Sequence, residues 1–273
     1  MKKEDKIENV NTKKNKHQKN EVKRNGNVKK IIITLIQIVL IGVIIYSGYN
    51  IYVWYVDNKQ NSEMKEELQH FVSVSEEKTE QADGSIHARD YNIDFEGLSK
   101  TNKDIVGWLK VNNTNIEYPV VKSSNNDYYL EHSFDGKQNG AGWVFADYRN
   151  GIDGTDKNII IYGHNRKDQS MFGSLSKVLT EEWYNNKDNL NIVFITKDEK
   201  SDYEVFSSYQ VLDEEYYITT SFGNQNFGEF VNKIKSRSVH NYGVEVGEED
   251  SILTLSTCAG NNKYRVVLHA KKK

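Results

Sequence analysis

The chain has 273 residues, enough for one or two domains, and a formal charge of only −3. With acids and bases nearly balanced, net charge argues for no polyanionic partner, and no nucleic-acid binding is expected. A single cysteine, Cys258, excludes an internal disulfide framework.

Residues 1–30 carry eleven Lys/Arg against four Asp/Glu, no aromatics and few large aliphatics. That composition predicts a basic tail without ordered structure, best read as solvated. Residues 31–56, "IIITLIQIVLIGVIIYSGYNIYVWYV", contain no charge. At about 1.5 Å rise per residue, a helix of this length exceeds the roughly 30 Å hydrocarbon core of a bilayer. Tyr46, Tyr49, Tyr52, Trp54 and Tyr55 crowd its far end as an interfacial aromatic belt would. The run is too long for the apolar part of a signal peptide, and "YVWYVDNK" is a poor cleavage site. The segment reads as an uncleaved transmembrane anchor of a single-pass cell-membrane protein. The positive-inside rule keeps the tail cytoplasmic and sends everything after residue 57 outside. In an exported chain a leftover cysteine is a reactive thiol, an intermolecular bridge or a small buried apolar residue. Location alone leaves these open.

Residues 57–90 are polar and charge-rich. Within them Met64, Leu68, Phe71 and Val72 fall at i, i+4, i+7 and i+8, which predicts a juxtamembrane amphipathic helix. "SEEKTEQADGSIHARD" follows as a linker, and the main domain is expected over 91–273.

From there the pattern becomes short β-like runs between turn residues: 104–111, 116–122, 142–147, 158–164, 190–196, 202–212, 251–257 and 264–270. Seven or eight short strands predict a mostly β, mostly antiparallel barrel or sandwich. Helical interruptions are expected at "MFGSLSKVL" (171–179) and at 227–239, where Phe227, Phe230, Val231 and Ile234 have helical spacing. The one proline, Pro119, suits a turn or an edge.

A cysteine nucleophile needs a nearby base or cation to hold its thiolate. The main domain offers His132, His164, His240 and His269. His164 ends an apolar run and opens a polar loop, the placement of a functional residue on a rigid strand. His269 shares strand parity with Arg265, whereas His132 and His240 sit in polar, loop-like contexts. If 251–257 and 264–270 form a hairpin, Arg265 returns close to Cys258 and can stabilise an oxyanion. A surface salt bridge is the plain alternative for that arginine. No metal-ligand spacing and no phosphate-binding glycine loop appears, so no cofactor or metal is expected.

"TLSTC" at a strand end, an arginine on the next strand and "YGH" after an aliphatic strand resemble the sortases, membrane-anchored cysteine transpeptidases of Gram-positive bacteria. The resemblance runs from "DIVGWLKVNNTNIEYPVV" (104–121) to the C-terminus and includes the anchor. Within the family the "NDYYL" block and the helix before the cysteine strand look most like class B. The resemblance implies a closed sortase-type β-barrel with peripheral helices. It implies catalytic roles for Cys258, His164 and Arg265, and substrate contacts from Asn126, Leu130, Tyr162 and Ser256. It also implies the reaction: Cys258 cleaves the C-terminal sorting signal of a secreted protein after Thr, and a peptidoglycan-precursor amine resolves the thioacyl-enzyme. Competing expectations are a non-catalytic membrane-tethered binding module and a purely hydrolytic cysteine peptidase.

Overall fold

The computed structural model describes residues 4–74, 91–212, 214–223, 226–258 and 263–273. The linker expected at 75–90 and the turn at 259–262 lie outside them. The chain divides into two units, one ending at Val56 and one comprising Asp57–Lys273.

The first element, α1 (Glu4–Gln69), is one long helix. The basic head, expected to lack order, is therefore helical from Glu4. Lys, Glu, Gln and Arg are strong helix formers. Extending a helix that the apolar stretch has already nucleated is far easier than starting one. Within the first unit the large apolar residues from Ile31 to Tyr55 are exposed on all sides. This helix is long and apolar enough to cross a membrane. An apolar surface on all sides lacks the single stripe of a core-facing surface helix and is consistent with membrane anchoring.

In the second unit the end of α1 buries Asn61 and Leu68, and Met64 packs against the core. The expected stripe outruns the helix, which stops at Gln69. The backbone N–H groups of His70 and Phe71 close the last turn on Glu67 and Leu68 carbonyls. Phe71 and Val72 reach the core from the following turn and from β1 (Val72–Val74). β1 pairs with β2 (Tyr91–Ile93), and α2 (Phe95–Thr101) follows, capped by Asp94.

Eight strands then close a barrel: β3 (Ile105–Val111), β4 (Glu117–Val121), β5 (Phe145–Ala146), β6 (Asn158–His164), β7 (Asn191–Ile195), β8 (Lys200–Leu212), β9 (Ile252–Cys258) and β10 (Tyr264–Lys272). Their order around the barrel is β10-β8-β7-β3-β4-β5-β6-β9. The mostly β fold read from the sequence is thus a closed barrel. Most neighbours are antiparallel, but β4–β5 and β6–β9 are parallel. Residues Asn158–Gly163 of β6 are all buried, the signature of a parallel strand covered on both faces. Pro119 lies inside β4, not in a turn. β5 pairs with β4 only at Val121, so Pro119 has one ladder partner, β3, and its missing N–H is not needed.

The main hydrophobic core includes Trp108, Leu109, Tyr118, Val120, Trp143 and Ile160, all essentially inaccessible; the neighbours Trp108 and Leu109 point to opposite faces of β3, so both faces of the barrel wall are covered. A second cluster lies under α4 (Phe227–Ser236), where Phe227, Phe230, Val231 and Ile234 meet Tyr209, Ile252 and Val267. Each such side chain contributes about 1.5–3 kcal/mol by leaving water. The Asn226 side chain caps α4 by accepting from the Glu229 N–H. The expected helix at 171–179 is a 3₁₀ segment over Gly173–Leu179, and a short α3 (Glu181–Asn185) follows it.

Candidate active site

The parallel ladder between β6 and β9 sets Tyr162 beside Ser256, Gly163 beside Thr257 and His164 beside Cys258. The antiparallel ladder between β9 and β10 sets Ser256 beside Val267. Beyond Ser256 the two strands stay in contact through Thr257, which is bonded by both Val266 and Arg265. The three residues singled out in the sequence therefore end three adjacent strands, with the cysteine backbone in the middle. Neighbouring strands lie roughly 4.8 Å apart, so the histidine and arginine flank the cysteine at close range. Arg265 Nη1 donates to the carbonyl of Thr257, 3.2 Å away, directly before Cys258. The Val266 N–H donates to the Thr257 hydroxyl at 2.9 Å, which ties β10 to the last turn of the ladder.

His164 is oriented by a backbone contact. Its Nε2 lies 2.8 Å from the Leu130 carbonyl, which can only accept. Nε2 therefore carries a proton, and proton exchange is left to Nδ1. The ring packs against Gly142, whose φ is +62°. A Cβ there would lie 2.8 Å from His164 Cδ2 and 2.7 Å from the Tyr129 carbonyl oxygen, so both the conformation and the space demand glycine. The His164 pKa is lowered, first by burial and also by the Arg166 charge, while the Leu130 carbonyl and Glu131 oppose the shift. Glu131 is exposed, so Glu131→Gln removes a supporting charge with little structural effect. The expected result is a move of the acidic limb of the kcat/KM profile to lower pH, read from peptide turnover between pH 4 and 8.

A groove of about 430 Å³ opens beside these strand ends. His164 and Arg265 line it together with Asn126, Leu130 and Tyr162. Ser256 is fully buried away from it, with its hydroxyl 3.0 Å from the Tyr217 hydroxyl. The opposite wall comes from the segment after β8, where Tyr217 and Ile218 face the groove. Sequence reasoning missed both. Their only signal was the short aromatic run "EEYYI" in a loop, without a period to follow.

The other histidines are placed apart from the groove. His269 is fully buried between Tyr209 and Thr254. His240 bonds the Leu179 carbonyl and stacks on Tyr184, and His132 stacks on Tyr128. Among the described residues no group of three metal-ligating side chains occurs. What the site brings together is suited to acyl transfer: a strand-end cysteine, an imidazole with one nitrogen fixed, and a guanidinium on the far side.

A family model described as "Sortase domain" matches residues 109–273. Sortase B of Listeria monocytogenes is 36% identical over 250 residues, covering 89% of this chain and 98% of that protein. Sortase B of Staphylococcus aureus is 35% identical over 246 residues, covering 89% and 97%. Among solved structures, a Staphylococcus aureus sortase B–substrate complex superposes with a TM-score of 0.67 at 33% identity, covering 80% of this chain and 98% of that one. Sortase B from B. anthracis in complex with AAEK1 gives the same TM-score at 34% identity, with the same coverage.

Proposed function

The chain belongs to the sortase family, class B, and is a cysteine transpeptidase; on that footing we propose that Cys258, His164 and Arg265 are its catalytic residues. The observation that supports this most is the ladder that pairs His164 on β6 with Cys258 on β9, together with the bond from Arg265 on β10 to the carbonyl of the preceding Thr257. The Cys258 thiolate attacks the Thr carbonyl carbon of a C-terminal sorting signal in a secreted protein. His164, protonated at Nδ1, gives that proton to the departing amine. Arg265 holds the oxyanion of the tetrahedral intermediate. Backbone N–H groups after the cysteine share that task in this proposal, and they lie outside the described residues. The thioacyl-enzyme is then attacked by an amine of a peptidoglycan precursor, and His164 Nδ1 takes back a proton. Signal binding falls to Asn126, Leu130 and Tyr162 on the groove, with Ser256 acting behind it through Tyr217.

Residues 1–30 form the cytoplasmic tail, 31–56 the anchor, 57–90 the juxtamembrane helix and linker, and 91–273 the extracytoplasmic catalytic domain. This arrangement puts the thiol on the side of the membrane where secreted substrates emerge.

The test uses the full chain in detergent with a library of sorting-type pentapeptides, with and without an added amine. Ligated product, and a thioacyl adduct on the fragment containing Cys258, support the transpeptidase reading. Acid product alone in both conditions identifies a hydrolase, and no cleavage with any peptide identifies a binding module. Arg265→Lys keeps the charge but loses the planar fork. The expected loss is about 10²–10³-fold in kcat, as for removal of one oxyanion donor, read in the same assay.

A further inference from the structure

Behind the groove lies an ion pair that none of the proposed catalytic steps uses. Asp147, just after β5, is completely buried. Its Oδ1 accepts from the Arg149 backbone N–H at 3.0 Å and from Arg149 Nε at 2.8 Å. Its Oδ2 accepts from Arg149 Nη2 at 2.6 Å, from Asn126 Nδ2 at 3.0 Å and from the Tyr162 hydroxyl at 2.9 Å. Arg149 Nη2 also donates to the Ile218 carbonyl at 2.9 Å. Three residues that line the groove, Asn126, Tyr162 and Ile218, thus hang on one buried carboxylate and its partner.

The chemistry of those bonds has a direction. Burial opposes the charge on Asp147, but the Arg149 guanidinium and backbone N–H, with Tyr162, hold its carboxyl below the ordinary range, so it is ionised and only accepts. The Tyr162 hydroxyl therefore spends its only proton on Asp147, and any further bond it makes is as an acceptor. Asn126 is fixed as well: its nitrogen faces Asp147, and its oxygen accepts from the Tyr148 N–H at 3.0 Å. Its second N–H is left for a ligand. The floor so prepared offers one acceptor and one donor, the complement of an amide group.

We propose that Asp147 and Arg149 are a positioning pair that fixes the hydrogen-bond polarity of the groove floor, so that Asn126 and Tyr162 receive one backbone amide of the bound peptide. The proposal rests on the reading of this groove as the peptide site. In Asp147→Asn the charge is gone and a weaker amide oxygen is shared among the donors from Arg149, Asn126 and Tyr162, so the Tyr162 proton is no longer held inward and the fixed acceptor is lost.

The experiment is an amide-to-ester scan of a cleavable peptide upstream of its scissile bond. Binding is measured by fluorescence anisotropy to the full chain in detergent, in a Cys258→Ala background. Binding measured this way does not depend on turnover, so failure of the catalytic assignment and failure of this pair are read separately. An ester at one position is expected to weaken binding about 10-fold, the effect of losing one hydrogen bond. In Asp147→Asn the same ester should cost less than about twofold, while the other positions keep their profile. A purely structural role would weaken all peptides alike and leave the ester profile unchanged, which overturns the proposal, as does a wild-type scan with no sensitive position. If Asp147→Asn does not fold, Arg149→Lys decides. It keeps the charge but loses the simultaneous grip on Asp147 and Ile218. A raised KM with kcat retained supports the pair, and an unchanged KM overturns it.

Discussion

Cys258→Ala is expected to lower peptide turnover by at least about 10³-fold while shifting Tm by no more than about 4 °C. The two halves of that expectation have separate causes. Turnover falls because no other group can replace the thiolate: Cys258 is the only cysteine in the chain. The barrel survives because its closure depends on backbone ladders, to β6 along the whole of β9 and to β10 from Ile252 to Ser256. Turnover within tenfold of wild type would remove Cys258 from the mechanism. The measurement pairs a fluorogenic sorting peptide with a thermal melt of the same preparation.

The second large effect separates two histidines. His164→Ala is expected to reduce kcat/KM by at least about 10³-fold, since acid–base help and orientation are lost together. His269→Gln is expected to leave kcat/KM within a few-fold but to cost about 1–3 kcal/mol of stability. The Thr254 hydroxyl lies 2.7 Å from Asn158 Oδ1, a pure acceptor, and gives its proton there. It must then accept from His269 Nδ1 at 2.8 Å, which leaves Nε2 to accept from the Tyr209 hydroxyl at 2.9 Å. The ring is held neutral, and full burial pushes its pKa down to about 3 from the ordinary 6.5. An unfolded chain takes up that proton near pH 6.5. The stability contributed by neutral His269 is therefore complete above pH 6.5. It is lost as pH falls toward 3, with a slope of up to about 1.4 kcal/mol per unit. Tm measured from pH 7 to 4 should decline in the wild type and decline less steeply in His269→Gln. Equal slopes would place the acid sensitivity elsewhere.

Much of this architecture could be read before any coordinates. All eight barrel strands lie where alternation or a continuous apolar run put them, because burial on one or two faces leaves a period in the residues. β5 shrank most, from an expected 142–147 to Phe145–Ala146, because Gly142 at positive φ and the following turn divert the chain. The parallel pairings were not legible, since strand order depends on contacts far apart in sequence. His164, Cys258 and Arg265 could be named from the resemblance; the ladder pairs the first two, and Arg265 is bonded to the Thr257 carbonyl next to Cys258. Tyr217 and Ile218 could not, because a loop carries no period. Asp147 was equally silent: within "FADYRN" a carboxylate looks solvated, and only the fold shows it fully buried with five donors on its two oxygens.

The parallel ladder between β6 and β9 also governs when the site comes into being. It joins segments separated by about ninety residues, a long loop to close before any pairing rewards it. Until β9 and β10 are in place, the barrel has a gap between β6 and β8. His164 then has no cysteine beside it and Arg265 has no register. On the roles proposed for these residues, reactivity belongs to the closed barrel, and a chain folded only as far as β8 has no assembled centre.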